Sequence, residues 1–316
     1  MARKLIGWTA LLLGLITAAV LLLFYTPDTD PAAMRAKYAP APSRFVDAEG
    51  GLRVHLRDTG PRTAPVIVLL HGSNASLHTW EPWAKRLERS HRVIRFDLPG
   101  HGLTGPNPTG RYDTPAFLDA IDRTVRALGL TRFALGGNSM GGGLAWRYAA
   151  QHPERVSALI LIDASGAPSR EKVELPLAFR IAQLPVLRDI AAVITPRALI
   201  ADGLRQSVSN EAMITEPMID LYWELLRYPG NRAATMARFG EGYRAAADGE
   251  IARLTMPTLI LWGAEDKLIP ADNARWFASR IRGSRAIVYP EIGHLPMEET
   301  PDRSAADLSA FLAAVR

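Results

Sequence analysis

A chain of 316 residues, 48% hydrophobic and 22% charged, is long enough for one large α/β domain with an insertion, and its composition excludes a disordered or low-complexity protein. It has no cysteine, which excludes disulfides and thiolate metal sites and gives no ground to expect redox chemistry. The net charge of +5 is scattered, with no basic block, so nucleic-acid binding has no support.

Leu5 to Tyr25 contains no charged residue and would span about 31 Å as a helix, the thickness of a bilayer's hydrocarbon core. It is expected to be a transmembrane signal anchor. Arg3 and Lys4 precede it and Asp28 and Asp30 follow, so the positive-inside rule places the remainder outside the cytoplasm. The alternative is a secreted chain cut after Thr17 and Ala19, but the apolar run Val20 to Phe24 would make a poor mature terminus. Thr26 to Ser43, rich in Pro and Ala, is read as a linker.

The segments around Phe45 to Ala48 and Leu52 to Arg57 alternate in polarity like an antiparallel hairpin turning at Glu49-Gly50-Gly51. Six short apolar runs follow: Pro65 to Leu70, Arg92 to Phe96, Phe133 to Gly136, Ala158 to Ile162, Thr258 to Trp262 and Ala286 to Tyr289. Such runs, alternating with helical stretches, fit parallel strands covered on both faces. The expected fold is an α/β domain with a mostly parallel central sheet and helices on both sides. Ligands in such sheets bind outside the carboxyl ends of the strands. Between Ala167 and Gly249 the strand rhythm stops, and Met218, Leu221, Tyr222 and Leu225 are spaced along one helix face. A helical cap over the strand ends is expected there. The chain thus divides into an anchor (1–25), a linker (26–43), a core in two parts (44–167 and 251–316) and a cap (168–250).

Gly137-Asn138-Ser139-Met140-Gly141 fits G-x-S-x-G directly after one apolar run and before a helix-compatible stretch, the context a nucleophile elbow requires. A serine nucleophile needs a base, and the base an orienting acid. Of seven histidines only His294 follows the cap, in a loop after the last run. Asp266 lies past Thr258 to Leu261, which completes the chain order Ser, Asp, His. Glu265 and Asp163 rank behind it as the acid, and Asp163 is assigned a structural role. The oxyanion hole would take the backbone amides of Met140 and of Ser73, with Asn74 close behind. Candidate pocket residues are Asn74, Trp80, Met213, Tyr222 and Trp223, although aromatic residues spaced like the tryptophan at 80 more often serve helix packing. No metal or organic cofactor is expected.

His71-Gly72, the run Phe96 to Gly102, the Gly137 to Gly141 elbow, Asp266 and Gly293-His294 together resemble the α/β-hydrolase family over about residues 44 to 316. The resemblance implies a capped serine hydrolase acting on an ester or related acyl bond of a small hydrophobic or lipid-like substrate. The elbow is similar to those of carboxylesterases and of carbon–carbon bond hydrolases of aromatic ring-cleavage products, and does not separate them. For the second chemistry a cap arginine would be wanted, and Arg180, Arg188 and Arg197 are available. The resemblance also makes Asp97 and His101 scaffold. A non-catalytic binding module on the same fold is the alternative of another class.

Overall fold

The computed structural model describes residues 24–168, 193–241 and 245–315, together with isolated positions before 24 and between 169 and 192. Eight strands form one sheet in the order β1-β2-β4-β3-β5-β6-β7-β8. These are β1 (Ser43–Asp47), β2 (Arg53–Thr59), β3 (Val66–Leu70), β4 (Arg92–Phe96), β5 (Phe133–Asn138), β6 (Val156–Ile162), β7 (Thr258–Gly263) and β8 (Arg285–Tyr289). The β1–β2 and β2–β4 pairs are antiparallel and the other five are parallel. The expected hairpin and all six runs are therefore strands, with ends shifted by at most two residues.

The apolar runs are continuous because both sheet faces are covered. In β3, Val68 and Leu70 belong to one buried cluster while Ile67 and Leu69 belong to another, as the two-residue period of a strand demands. On the first face pack α3 (Thr114–Ala127) through Phe117 and Ile121, α4 (Met140–Gln151) through Leu144 and Tyr148, and α9 (Asp272–Arg280) through Phe277. On the second pack α2 (Glu81–Leu87) through Trp83 and Leu87, and α10 (Pro301–Ala314) through Leu308 and Leu312.

Parallel register aligns the carboxyl ends of the strands. Leu70 lies beside Gly137, Asn138 beside Ile162, Ile162 beside Leu261 and Gly263 beside Tyr289. The loops after β3, β5, β6, β7 and β8 consequently meet along one edge of the sheet.

Between β6 and β7 the described residues form α5 (Arg197–Gln206), α6 (Glu216–Leu226), α7 (Asn231–Gly240) and the short α8 (Asp248–Ile251), with no strand among them. They lean on that same edge. Asn231 donates to Gly102 O at 2.9 Å, Ala234 packs where a Cβ on Gly100 would fall, and the backbone at Ser207 and Val208 closes over Gly293. A helical layer therefore covers the loops that carry the candidate residues.

The segment from Thr26 to Ser43 is not an extended linker. Asp30 caps α1 (Pro31–Tyr38) by accepting the Ala33 amide at 2.7 Å, with Pro31 in the first turn, where its missing N–H costs nothing. Met34 is buried with Leu103, Leu225 and Tyr228. Tyr38 donates to Glu224 at 2.6 Å, Lys37 pairs with the same carboxylate at 2.8 Å, and buried Arg232 pairs with Asp28 at 2.6 Å. Composition suggested a tether; cap, proline and apolar anchor make the segment a strap bound to α6 and α7.

Most of Leu5 to Tyr25 lies outside the described residues. Its described positions Trp8, Leu12, Leu15, Phe24 and Tyr25 are each more than half exposed. Among the described residues no helix is long and apolar enough to cross a membrane.

Candidate active site

Ser139 stands between β5 and α4 at φ 54°, a left-handed conformation that a non-glycine residue adopts only under constraint from its surroundings. Its amide donates to Ile162 O at 3.0 Å, and its carbonyl accepts from the amides of Gly143 and Ser165 at 3.0 Å each. The flanking glycines are required by close approach. A Cβ on Gly137 would fall 2.3 Å from the Gly141 backbone, and one on Gly141 would fall 2.2 Å from Leu70 O. The side chain that results is half-buried at the amino end of α4.

His294 and Asp266 meet across the ends of β8 and β7, with Nδ1 of the imidazole 2.7 Å from Oδ2 of the carboxylate. An acceptor at that distance fixes the proton on Nδ1 and leaves Nε2 as the free acceptor. The other carboxylate oxygen of Asp266 accepts the amides of Leu268 and Ile269 at 2.8 and 3.0 Å. Glu265 is exposed, so the adjacent carboxylate is not the partner.

Asn138, the residue before Ser139, donates to His294 O at 3.0 Å and ties the elbow to the histidine loop. The loop is held again by Glu299, which accepts the amides of Gly293, Leu295 and Ser209. Neither tie is expected from sequence, because each joins residues whose neighbourhood only the fold creates.

Asp163 ends β6 at φ 44°, fully buried, with Oδ1 accepting the Gly263 amide at 2.9 Å. Its other oxygen has no hydrogen-bond partner, and burial next to Asp266 pushes its carboxyl well above the usual range. Two carboxyls in one buried site do not both ionise. The raised carboxyl of Asp163 favours its neutral form, in keeping with a structural role for it. Asp163, Asp266 and His294 bring one donor atom each within 4.8 Å of one another. His294 Nδ1 is already committed to Asp266 at 2.7 Å, which suits an orienting pair better than a cation site.

The loop after β3 runs alongside Ser139, since a Cβ on Gly72 would fall 3.3 Å from the Ser139 Cβ. His71 fixes this loop, accepting the Leu98 amide on Nε2 at 2.9 Å and donating from Nδ1 to Gly72 O at 2.8 Å. Both nitrogens are then occupied by the neutral ring, and burial holds its pKa below the usual histidine value. The amides of Ser73 and Met140 have no hydrogen-bond partner among the described residues. Asp97 and His101 are scaffold as expected. Asp97 accepts from His55 and from the amides of Leu77 and Leu103, and His101 donates from Nδ1 to Pro99 O.

The candidate pocket residues separate. Asn74 stays by the site, its Oδ1 accepting from Thr235 of α7 at 3.2 Å. Trp80 does not line a pocket: it is fully buried in the core beside Trp83, with ring centroids 5.4 Å apart. The packing role, the more frequent one at this spacing, is realised because the turn leading into α2 must cover the sheet. Trp223 is committed to the helical layer, donating to Thr195 O at 2.7 Å under the guanidinium of Arg227. Tyr222 is turned to Thr79 and Glu298. Met213 lines a separate cleft of about 360 Å³ with Asn210, Ile292 and Glu298, to which none of Ser139, Asp266 and His294 contributes. Of the three cap arginines, Arg197 pairs with Asp220 and Glu216, Arg180 is exposed, and Arg188 lies outside the described residues. The arginine that reaches the site is Arg238 of α7, whose Nη2 donates to Ser73 Oγ.

Comparison with known proteins gives the family. The chain matches the family model described as alpha/beta hydrolase fold over residues 65–301. It is 28% identical over 270 residues to the 2-hydroxymuconate semialdehyde hydrolase of Pseudomonas sp. (strain CF600), covering 83% of this chain and 91% of that protein. To the monoacylglycerol lipase abhd6-B of Xenopus laevis it is 25% identical over 268 residues, covering 81% and 77%. Among solved structures, a membrane phospholipase A described as a bacterial virulence factor superposes with a TM-score of 0.78 at 26% identity, covering 100% of this chain and 99% of that one.

Proposed function

Because the chain belongs to the α/β-hydrolase fold family and is similar to a monoacylglycerol lipase and a 2-hydroxymuconate semialdehyde hydrolase, we propose that it cleaves a carboxylic ester of a small hydrophobic or lipid-like substrate with Ser139, His294 and Asp266. The observation that carries the reading is the pairing of His294 Nδ1 with Asp266 at 2.7 Å in a loop tied by Asn138 to the strained Ser139 elbow.

Ser139 Oγ attacks the acyl carbon while His294 Nε2 takes its proton. Asp266 holds the ring in the tautomer that makes this possible and offsets the imidazolium charge. The amides of Met140 and Ser73 receive the oxyanion, where each donor contributes about 3 kcal/mol of transition-state stabilisation. The imidazolium returns its proton to the leaving alkoxide, and a water deprotonated by His294 then releases the acid from the acyl-enzyme.

Turnover of a p-nitrophenyl ester and labelling by a fluorophosphonate probe test the assignment. Both are expected in the parent protein and in neither Ser139→Ala nor His294→Ala. Labelling at another residue, or full activity in either variant, overturns it.

A second reading, hydrolysis of a carbon–carbon bond in an aromatic ring-cleavage product, draws on the likeness to the 2-hydroxymuconate semialdehyde hydrolase. Turnover of such a keto acid at a higher kcat/KM than of short esters would favour it. Leu5 to Tyr25 is proposed as a membrane anchor with the catalytic domain outside the cytoplasm. Its uncharged length, its exposed apolar side chains and the likeness to a membrane phospholipase along the whole chain support that placement.

A further inference from the structure

Helix α7 sets two side chains, one turn apart, on the loop beside Ser139. Thr235 donates to Asn74, and Arg238 donates to Ser73 Oγ. The Arg238 guanidinium lies over the Phe239 ring, 4.3 Å from its centroid. Its Nε is shut off from solvent and has no hydrogen-bond partner.

What Arg238 lacks sets it apart. The buried arginines have carboxylates: Arg57 and Arg95 share Glu81, and Arg232 pairs with Asp28. Half-buried Arg227 has no ion pair among the described residues either, but its Nε donates to Pro27 O, whereas the Nε of Arg238 has no partner. No carboxylate among the described residues lies within ion-pair distance of Arg238. Burial alone lowers its pKa to about 10, with no acid opposing the fall. The nearby rings of His71 and His101 add no negative charge, being held neutral by burial. The side chain is half-buried, and a cation partly withdrawn from water without a counter-charge carries a cost, while a neutral donor would fasten Ser73 equally well. The cost is offset when a bound anion supplies the missing charge, and a guanidinium matches carboxylate and phosphate oxygens in pairs.

We propose that Arg238 is the recognition point for an anionic group, a carboxylate or a phosphate, carried by the substrate close to the acyl carbon that Ser139 attacks. Its position follows from Ser73, which is next to Gly72 and so one residue from contact with Ser139. The inference rests on the serine hydrolase reading for the place of the acyl carbon, whereas binding of the anion can be measured without turnover.

The experiment is calorimetric binding of three small ligands to the full chain in detergent at low salt: phenylphosphonate, phenylacetate and the neutral phenylacetamide. At least one anion is expected to bind about tenfold more tightly than the amide, and which one does so separates a phosphate-bearing from a carboxylate-bearing substrate. Arg238→Met is expected to abolish the preference. Arg238→Lys, which keeps the charge without the fork, is expected to retain part of it and serves if the methionine variant does not fold. Equal binding of all three ligands by the parent protein, or an undiminished preference in Arg238→Met, overturns the proposal. So does slower fluorophosphonate labelling in that variant with the preference intact, the pattern of a side chain that only fastens Ser73. Anion preference in a chain whose Ser139 is never labelled would leave the anion site standing and overturn the hydrolase reading instead.

Discussion

Glu299 grips the backbone on both sides of His294, accepting the Gly293 amide at 3.0 and 3.1 Å and the Leu295 amide at 3.2 Å. The same carboxylate accepts the Ser209 amide at 2.8 Å, so one side chain joins the histidine loop to the helical layer. An imidazole that moves a proton must be placed to a fraction of an ångström, and a misplacement of about 1 Å costs about 100-fold in rate. Glu299→Ala is therefore expected to lower kcat for a p-nitrophenyl ester by about 10- to 100-fold with little change in KM. Steady-state kinetics on a variant with a normal melting curve checks this. An unchanged kcat would show that Asn138 and the Ser207 carbonyl, which accepts the His294 amide at 2.8 Å, hold the loop unaided.

The two neighbouring carboxyls give opposite expectations. Asp266→Asn loses the charge that holds the Nδ1 proton, and kcat should fall about 10⁴-fold. Asp163→Asn replaces a group whose raised pKa favours the neutral form and keeps an oxygen to accept the Gly263 amide, so kcat should stay within about threefold. Parallel rate measurements decide the matter. A larger loss in Asp163→Asn than in Asp266→Asn would exchange their roles.

How much of this was legible in the sequence depends on the range of each interaction. Strands such as Val66–Leu70 show as unbroken apolar runs because burial on both faces is a local requirement, and the Ser139 elbow shows because its glycines sit within two residues of it. Asp266 and His294 are readable through chain order. Glu299, Asn138 and Arg238 are not, since their meaning lies in partners up to 165 residues distant. The misreading of Thr26 to Ser43 is of another kind. Asp30-Pro31 is a helix-start signal present in the sequence, overridden by a composition rich in Pro and Ala.

Gly263 lies where β7 passes under the histidine loop, and a Cβ there would fall 1.8 Å from Gly293 O and 2.4 Å from Ile292 O. Neither contact is with a flexible side chain, so the loop itself must move. Gly263→Ala is expected to destabilise the fold by about 1–3 kcal/mol and, on the proposed reading, to remove most turnover of a p-nitrophenyl ester. Thermal melting with an activity assay on the folded fraction tests this. Wild-type kcat in the variant would mean the loop can shift without displacing His294.

Glu298 gives the protein a pH dependence of definite sign. Its side chain receives Thr79 Oγ1 and faces Tyr222 of α6, and burial, with Glu299 beside it, raises its pKa from the ordinary 4.5 to about 7. Between about pH 4.5 and 7 the folded chain keeps a proton that the unfolded chain has lost, so stability falls as pH rises through this window. Because the side chain is half-buried, the loss is discounted to about 1–2 kcal/mol. Asp163 contributes in the same direction, so the Glu298 share is isolated by comparison with Glu298→Gln, which keeps a neutral acceptor for Thr79. The melting temperature of the parent protein should drop by about 2–4 °C more than that of the variant between pH 5 and pH 8. Equal drops in the two proteins would mean that Glu298 is already ionised at pH 5 and that its contact with Tyr222 is made by the carboxylate.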